Sequence, residues 1–112
     1  MLPKHKKIPR KLFNDILTRG KIFHSPNVTL RIRKNYSNNT AFSFVVSKKV
    51  AKKSVERNKL KRQGYSIIKE FLDKIKGSYS YIFFLKKGII GMKYKDIKNE
   101  IYSILDKAGF IV

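Results

Sequence analysis

The stretch Thr40-Ala-Phe-Ser-Phe-Val-Val-Ser-Lys48, running on into Lys49-Val-Ala-Lys-Lys-Ser-Val-Glu-Arg-Asn-Lys-Leu-Lys-Arg62, decides how this chain is built. Its first half alternates. Phe42, Phe44 and Val46 fall on one side and Ser43, Val45 and Ser47 on the other, which is the period of a β-strand over 40–48. Its second half changes period. Ser54 is of the type that caps helices, and Leu60, Gly64, Ile67, Ile68, Phe71, Leu72 and Ile75 then recur at helical spacing. Gly77-Ser78 offers the stop. A strand therefore feeds a helix, and the joint between them carries eight basic residues in the fifteen from Lys48 to Arg62, opposed only by Glu56. Gly64 costs a helix about 1 kcal/mol relative to alanine, so it should mark close packing, a bend or a weak point.

Towards the N-terminus, Pro9 suits a first helical position. Leu12, Phe13, Ile16 and Leu17 form one stripe and Gly20 is a natural stop, which predicts a helix over 9–19. Residues 1–8 read as a basic, mobile arm. Lys21–His24 makes a short strand ended by Ser25-Pro26-Asn27. Val28, Leu30 and Ile32 alternate with Thr29, Arg31 and Arg33, giving a half-buried strand with a basic outer face. The turn-forming run Tyr36-Ser-Asn-Asn39 predicts that this strand pairs antiparallel with the one over 40–48.

Towards the C-terminus, Tyr81–Leu85 is apolar throughout and predicts a central strand buried on both faces. Lys86–Gly91 is a loop. Tyr94, Ile97, Ile101, Ile104, Leu105 and Ala108 give a last helix ended by Gly109. The order is α-β-β-β-α-β-α in a single α+β domain, residues 1–112, with no repeat and no linker. One sheet with helices mainly on one face satisfies these patterns, leaving the other face to Arg31 and Arg33.

The 112 residues include 27 Lys and Arg against 7 Asp and Glu, a net charge of +20. Such a domain repels itself unless a polyanion screens it. Nucleic acid leads the candidates, because a basic surface gains affinity by releasing counterions from phosphates. No apolar run reaches the length of a membrane span, and neither a lipidation signal nor a basic amphipathic helix with an exposed apolar face is evident. There is no cysteine, which fits a reducing compartment. The basic N-terminus leads into an amphipathic pattern rather than an apolar signal core. The expected location is the cytoplasm.

A protein nuclease needs a general base, a metal site or both. The seven acids are Asp15, Glu56, Glu70, Asp73, Asp96, Glu100 and Asp106. Asp96 with Glu100, and Glu70 with Asp73, lie among lysines and read as ordinary helix-surface charges. His5 and His24 are unpaired, and metal-ligand spacing is absent. No catalytic or metal-ligating residue is expected in the polypeptide.

Ser47-Lys-Lys-Val50 followed by Val55-Glu-Arg-Asn-Lys-Leu-Lys-Arg62 resembles the signature of the bacterial ribonuclease P protein family, a Ser-Lys-Lys strand end and then an Arg-Asn-Arg core, an aliphatic residue and Lys-Arg. The opening Leu-Pro-Lys, the helix end at Phe13…Arg19-Gly20, Tyr81-Ile-Phe-Phe and Tyr94–Leu105 match the family in the right order, so the resemblance covers nearly the whole chain. It implies an α/β sandwich with a left-handed crossover, the opposite of the usual hand. It implies a non-catalytic protein subunit of an endonuclease whose RNA subunit, with Mg2+, removes the 5′ leader of precursor tRNA, one protein per catalytic RNA.

By the same resemblance, Arg57, Asn58, Lys59, Lys61 and Arg62 face the catalytic RNA, and Lys48, Lys49, Lys52 and Lys53 lie on the approach to that motif. Phe13, Leu17, Arg31 and Arg33 are implied at the leader-binding cleft. Plain core packing is the other reading of Phe13, and Leu17 stands where many members carry a second aromatic. Lys59 replaces the motif's second arginine. Gln63-Gly64-Tyr65 replaces an aliphatic run with a further arginine, and Tyr65 either stacks on a base or lies on the surface. The alternative function is a small basic ribosomal or RNA-chaperone protein, which shares the charge but does not require Arg57-Asn58 at an exposed helix start. A DNA-binding protein trails for want of a helix-turn-helix.

Overall fold

A computed structural model of the chain describes residue 8, residues 10–35 and residues 39–112. The N-terminal arm, apart from Ile8, lies outside the described residues, as do Pro9 and positions 36–38 of the expected turn. The elements are α1 (Arg10–Arg19), β1 (Lys21–His24), β2 (Val28–Lys34), β3 (Ala41–Val45), α2 (Ser54–Glu70), β4 (Tyr79–Leu85) and α3 (Tyr94–Lys107). Single 3-10 turns follow α2 at Leu72–Lys74 and β4 at Lys87–Ile89.

The sheet order is β1-β2-β4-β3. β1 and β2 form an antiparallel hairpin, Lys21 opposite Ile32 and His24 opposite Thr29. β2 runs antiparallel to β4, from Val28 opposite Leu85 to Lys34 opposite Tyr79. β3 runs parallel to β4, from Ala41 opposite Ser80 to Val45 opposite Phe84. This corrects the expectation that β2 and β3 form a hairpin. β4 is inserted between them because it is apolar on both faces and needs a strand on each side, while α2 supplies the crossover that makes β3 and β4 parallel.

Alternation along each strand sends Val28, Leu30, Ile32, Phe42, Phe44, Tyr81, Phe83 and Leu85 to one face. There they join one core with Leu60, Ile67 and Ile68 of α2 and Ile97, Ile101, Ile104 and Leu105 of α3. Two register pairs stack: Phe42 on Tyr81, with centroids 5.2 Å apart, and Phe44 on Phe83 at 4.8 Å. α1 packs against β2 on the opposite face, where Ile16, Ala41 and Ile82 are buried. The expectation that this face is left to Arg31 and Arg33 is therefore corrected: a helix lies beside them.

Gly64 is a close-packing position. A Cβ there would stand 2.5 Å from Cε1 of Phe44, and α2 runs unbroken through it. Two expected boundaries move. Ser54 is the first helical residue, preceded by Lys53 in extended conformation with no side-chain cap. α2 ends at Glu70 rather than near Gly77, because the backbone from residue 74 pairs with the C-terminus. Lys76 N donates to Phe110 O (2.8 Å), Val112 N donates to Lys74 O (2.7 Å), and Ile75 bridges Ile111. Strand β3 likewise stops at Val45, where Ser47 O begins to accept from Val50 N and Ala51 N in a turn. Gly109 stops α3 as expected, at φ 85° with Phe110 N donating back to Leu105 O at 2.9 Å.

Candidate nucleic-acid interface

The basic stretch divides in two. Lys48, Lys49, Lys52 and Lys53 are exposed on the turn that links β3 to α2. On α2 itself Asn58, Lys59 and Arg62 are exposed, Lys61 is half-buried, and Leu60 points into the core. Asn58, Lys59 and Arg62 share one helix flank by their spacing. None of the ion pairs among the described residues involves this band, so its charges are available to an outside anion.

Arg57 behaves differently. Its side chain is half-buried, and Nη1 donates to Ala51 O (2.9 Å) and Lys52 O (2.7 Å). The guanidinium thus ties the basic turn to the first turn of the helix, doing what the absent Ser54 cap does not. Its remaining N–H groups leave it able to donate outward as well.

The second expected surface lies between α1 and the sheet. Phe13 and Leu17, one helical turn apart, are half-buried on either side of the buried Ile16. Phe13 is therefore no member of the central core. Arg31 and Arg33 rise from β2 towards α1. Arg31 Nη1 donates to Leu17 O at 2.5 Å, and Arg33 Nε stands 2.6 Å from Asp15 Oδ2. Both arginines spend part of their donor set on α1, which fixes the helix across the sheet and leaves a basic wall beside Phe13 and Leu17.

Register adds residues that sequence reasoning did not name as site residues. Thr29, Phe84 and Val45 are neighbours across three strands on this face, and Ser43 sits beside Ile82. All but Ile82 are half-buried. Alternation in β3 had already grouped Ser43 with Val45; Phe84 becomes visible only when β4 is placed between β2 and β3.

Tyr65 is not a free stacking platform. Its ring meets Phe44 edge-on, with centroids 5.0 Å apart, and burial pushes its phenol up from its ordinary value. Three of the acids, Asp15, Glu70 and Glu100, tie elements together. Glu70 accepts from Lys98 Nζ and from the Tyr94 hydroxyl, each at 2.7 Å. Glu100 departs from the expected surface role. It accepts from Ser25 Oγ (2.5 Å), Asn27 N (2.7 Å) and Asn27 Nδ2 (2.8 Å), clamping the β1–β2 turn onto α3. Among the described residues no group of three His, Asp or Glu side chains is placed to hold a metal ion, and no helix is long and apolar enough to cross a membrane.

Comparison with known proteins gives one answer. The family profile described as Ribonuclease P matches residues 2–109. The ribonuclease P protein component of Microcystis aeruginosa is 32% identical over 111 residues, covering 96% of this chain and 92% of that one. The corresponding protein of a Clostridium botulinum strain is 36% identical over 100 residues, covering 88% and 89%. Among solved structures, the ribonuclease P protein of Staphylococcus aureus superposes with a TM-score of 0.87 at 20% identity, covering 98% of this chain and all of that one. That of Thermotoga maritima gives 0.83 at 21% identity, covering 90% and 96%. At these identities the structural matches speak for the fold, a mixed α+β domain with, among the described residues, one four-stranded sheet and three helices. The ribosomal or chaperone alternative is not favoured by any of these matches, and the chain belongs to the ribonuclease P protein family, the protein component of the endonuclease that cleaves tRNA precursors.

Proposed function

We propose that this protein grips the catalytic RNA of ribonuclease P with the band Lys48, Lys49, Lys52, Lys53, Asn58, Lys59, Lys61 and Arg62, held in shape by Arg57, and cradles the 5′ leader of precursor tRNA beside Phe13, Leu17, Arg31 and Arg33. The observation that carries this reading is the split of the basic surface into two differently built parts. The α2 band is charge without an ion pair among the described residues, carried on a helix and the turn before it, suited to the phosphates of a folded RNA. The α1 surface mixes half-buried apolar side chains with arginine forks, suited to an unpaired strand whose bases and phosphates are both within reach.

The chain's contribution is binding and orientation. Positioning a substrate strand is itself worth several kcal/mol of a reaction barrier, so a subunit without reactive groups still accelerates the holoenzyme. Mg2+ chemistry is proposed to belong to the RNA, since the described residues offer no ligand cluster. One protein per catalytic RNA and a cytoplasmic location complete the proposal. Binding of precursor tRNA and of mature tRNA to the reconstituted complex tests it. Added protein should raise affinity for the leader-bearing substrate and leave mature tRNA unaffected. An equal effect on both would remove the leader from the account.

A further inference from the structure

A second concave, basic and aromatic site lies at the end of the sheet away from the α2 band. α2 begins beyond the end of β3 that pairs with Phe84, whereas this site forms at the Tyr79 end of β4. The length of β4 separates them by about 20 Å. The pocket, about 280 Å³, is lined by Arg19, Lys21, Arg33 and Lys34 together with Tyr79 and Phe110. It adjoins the α1 cleft through Arg19 and Arg33 but reaches round the strands to the other face, where Lys21, Ile32 and Tyr79 sit on the core-facing side, opposite Arg31.

Its charge is not consumed internally. Among the described residues the carboxylate that pairs with these arginines is Asp15, engaged by Arg33 at 2.6 Å, while Arg19 approaches it only to 3.6 Å with its side chain 69% exposed. Lys21 and Lys34 are exposed, and neither makes an ion pair among the described residues. Lys76, which does not line the pocket, stands over the same rings, its Nζ 5.9 Å from the Tyr79 ring centroid and 5.8 Å from that of Phe110. Those two rings meet edge to face at 4.9 Å, so the buried Phe110 backs the half-buried Tyr79.

We propose that this pocket takes one nucleotide of a single-stranded RNA segment, its base against Tyr79 and its flanking phosphates on Arg19, Lys21 and Lys34. The inference rests on the reading that the chain binds RNA, and it adds a contact that borders the leader surface at Arg33 and lies at the far end of the sheet from the α2 band. The volume lies just under the roughly 300–1,000 Å³ of ordinary ligand pockets, which suits a single nucleotide. Cations beside an aromatic wall in a concavity match the two features that single strands offer, charge and a π-face. An acidic peptide would use the lysines but gain nothing from the rings.

The test uses the full chain and an oligouridylate carrying 4-thiouridine. Photo-crosslinks should map to Tyr79. The Lys21→Ala/Lys34→Ala variant should lower the slope of log K against log salt by about 1.4, at roughly 0.7 per single-strand phosphate contact. Tyr79→Leu, which keeps every charge, should weaken oligouridylate binding about fivefold or more. Crosslinks confined to α2 and the α1 cleft, with an unchanged slope in the double variant, would overturn the pocket while leaving RNA binding intact. Displacement of the oligouridylate by polyglutamate at equal charge, with Tyr79→Leu silent, would also overturn it, in favour of an acidic protein partner. Failure of the wild-type chain to bind any RNA would instead overturn the functional reading itself.

Discussion

Arg57 holds the carbonyl of Ala51 at 2.9 Å with the same nitrogen that takes Lys52 O at 2.7 Å. The most motif-like arginine of the chain is thus a positioning residue for the lysines before it as well as a cation. Lysine at this place keeps the charge but loses the planar fork. Arg57→Lys should therefore weaken binding to ribonuclease P RNA severalfold and speed amide exchange over residues 50–53. The same change at the exposed Arg62 should cost less affinity and leave exchange unaltered. Equal effects at both sites would show that only charge counts.

Gly64 faces the ring of Phe44. Alanine gains about 1 kcal/mol of helix propensity, but its Cβ would meet Cε1 at 2.5 Å. Overpacking costs about 1–3 kcal/mol. Gly64→Ala should therefore lower the urea unfolding free energy, and paired replacement of Phe44 by Leu should recover part of the loss. A stabilised Gly64→Ala variant would contradict the packing.

Glu100 satisfies three donors of the Ser25–Asn27 turn. Glu100→Ala leaves the Asn27 N–H without that partner, at a cost of about 1–3 kcal/mol. Thermal unfolding should register the loss while affinity for ribonuclease P RNA stays the same. A fall in affinity without a fall in Tm would instead put this turn in the RNA interface.

Lys98 bonded to Glu70 holds its carboxyl below the ordinary range, with the Tyr94 hydroxyl as the next cause. A depressed carboxyl pKa contributes stability above its unfolded value, and that contribution is lost as pH falls through the folded value. The group is solvent-exposed, so the energy is small and the titration is the better readout. An NMR titration should place Glu70 below the ordinary carboxylate range, and Lys98→Met should move it upward. No movement would sever the pair.

Much of this was readable from the residues. The change of period after Thr40 placed a strand and then a helix in the right order, with the strand ending early at Val45 and the helix at Glu70, because alternation and helical spacing report burial directly. Leu60, Ile67 and Ile68 are buried as their spacing implies. Strand order was not readable, because turn chemistry at 36–39 speaks only for local pairing, whereas the insertion of β4 follows from its two apolar faces and the length of α2. The partners of Arg31, Arg33 and Glu100 were equally hidden. Each charge reads as surface until a distant element, Leu17 O, Asp15 or Asn27, is folded against it. The band from Lys59 to Arg62 was legible because the role proposed for it needs only charge on one helix surface, and that is local.

The claim that this chain serves a catalytic RNA is tested most directly by leader removal itself. A bacterial ribonuclease P RNA, cognate where possible, is mixed with precursor tRNA at low Mg2+ with and without the full chain. The protein should accelerate formation of the mature 5′ end, and Lys59→Ala/Arg62→Ala should require more protein for the same rate, with a salt slope reduced by about 1.8 at roughly 0.9 per neutralised phosphate. Leader removal unchanged by the chain over the whole Mg2+ range would contradict the account.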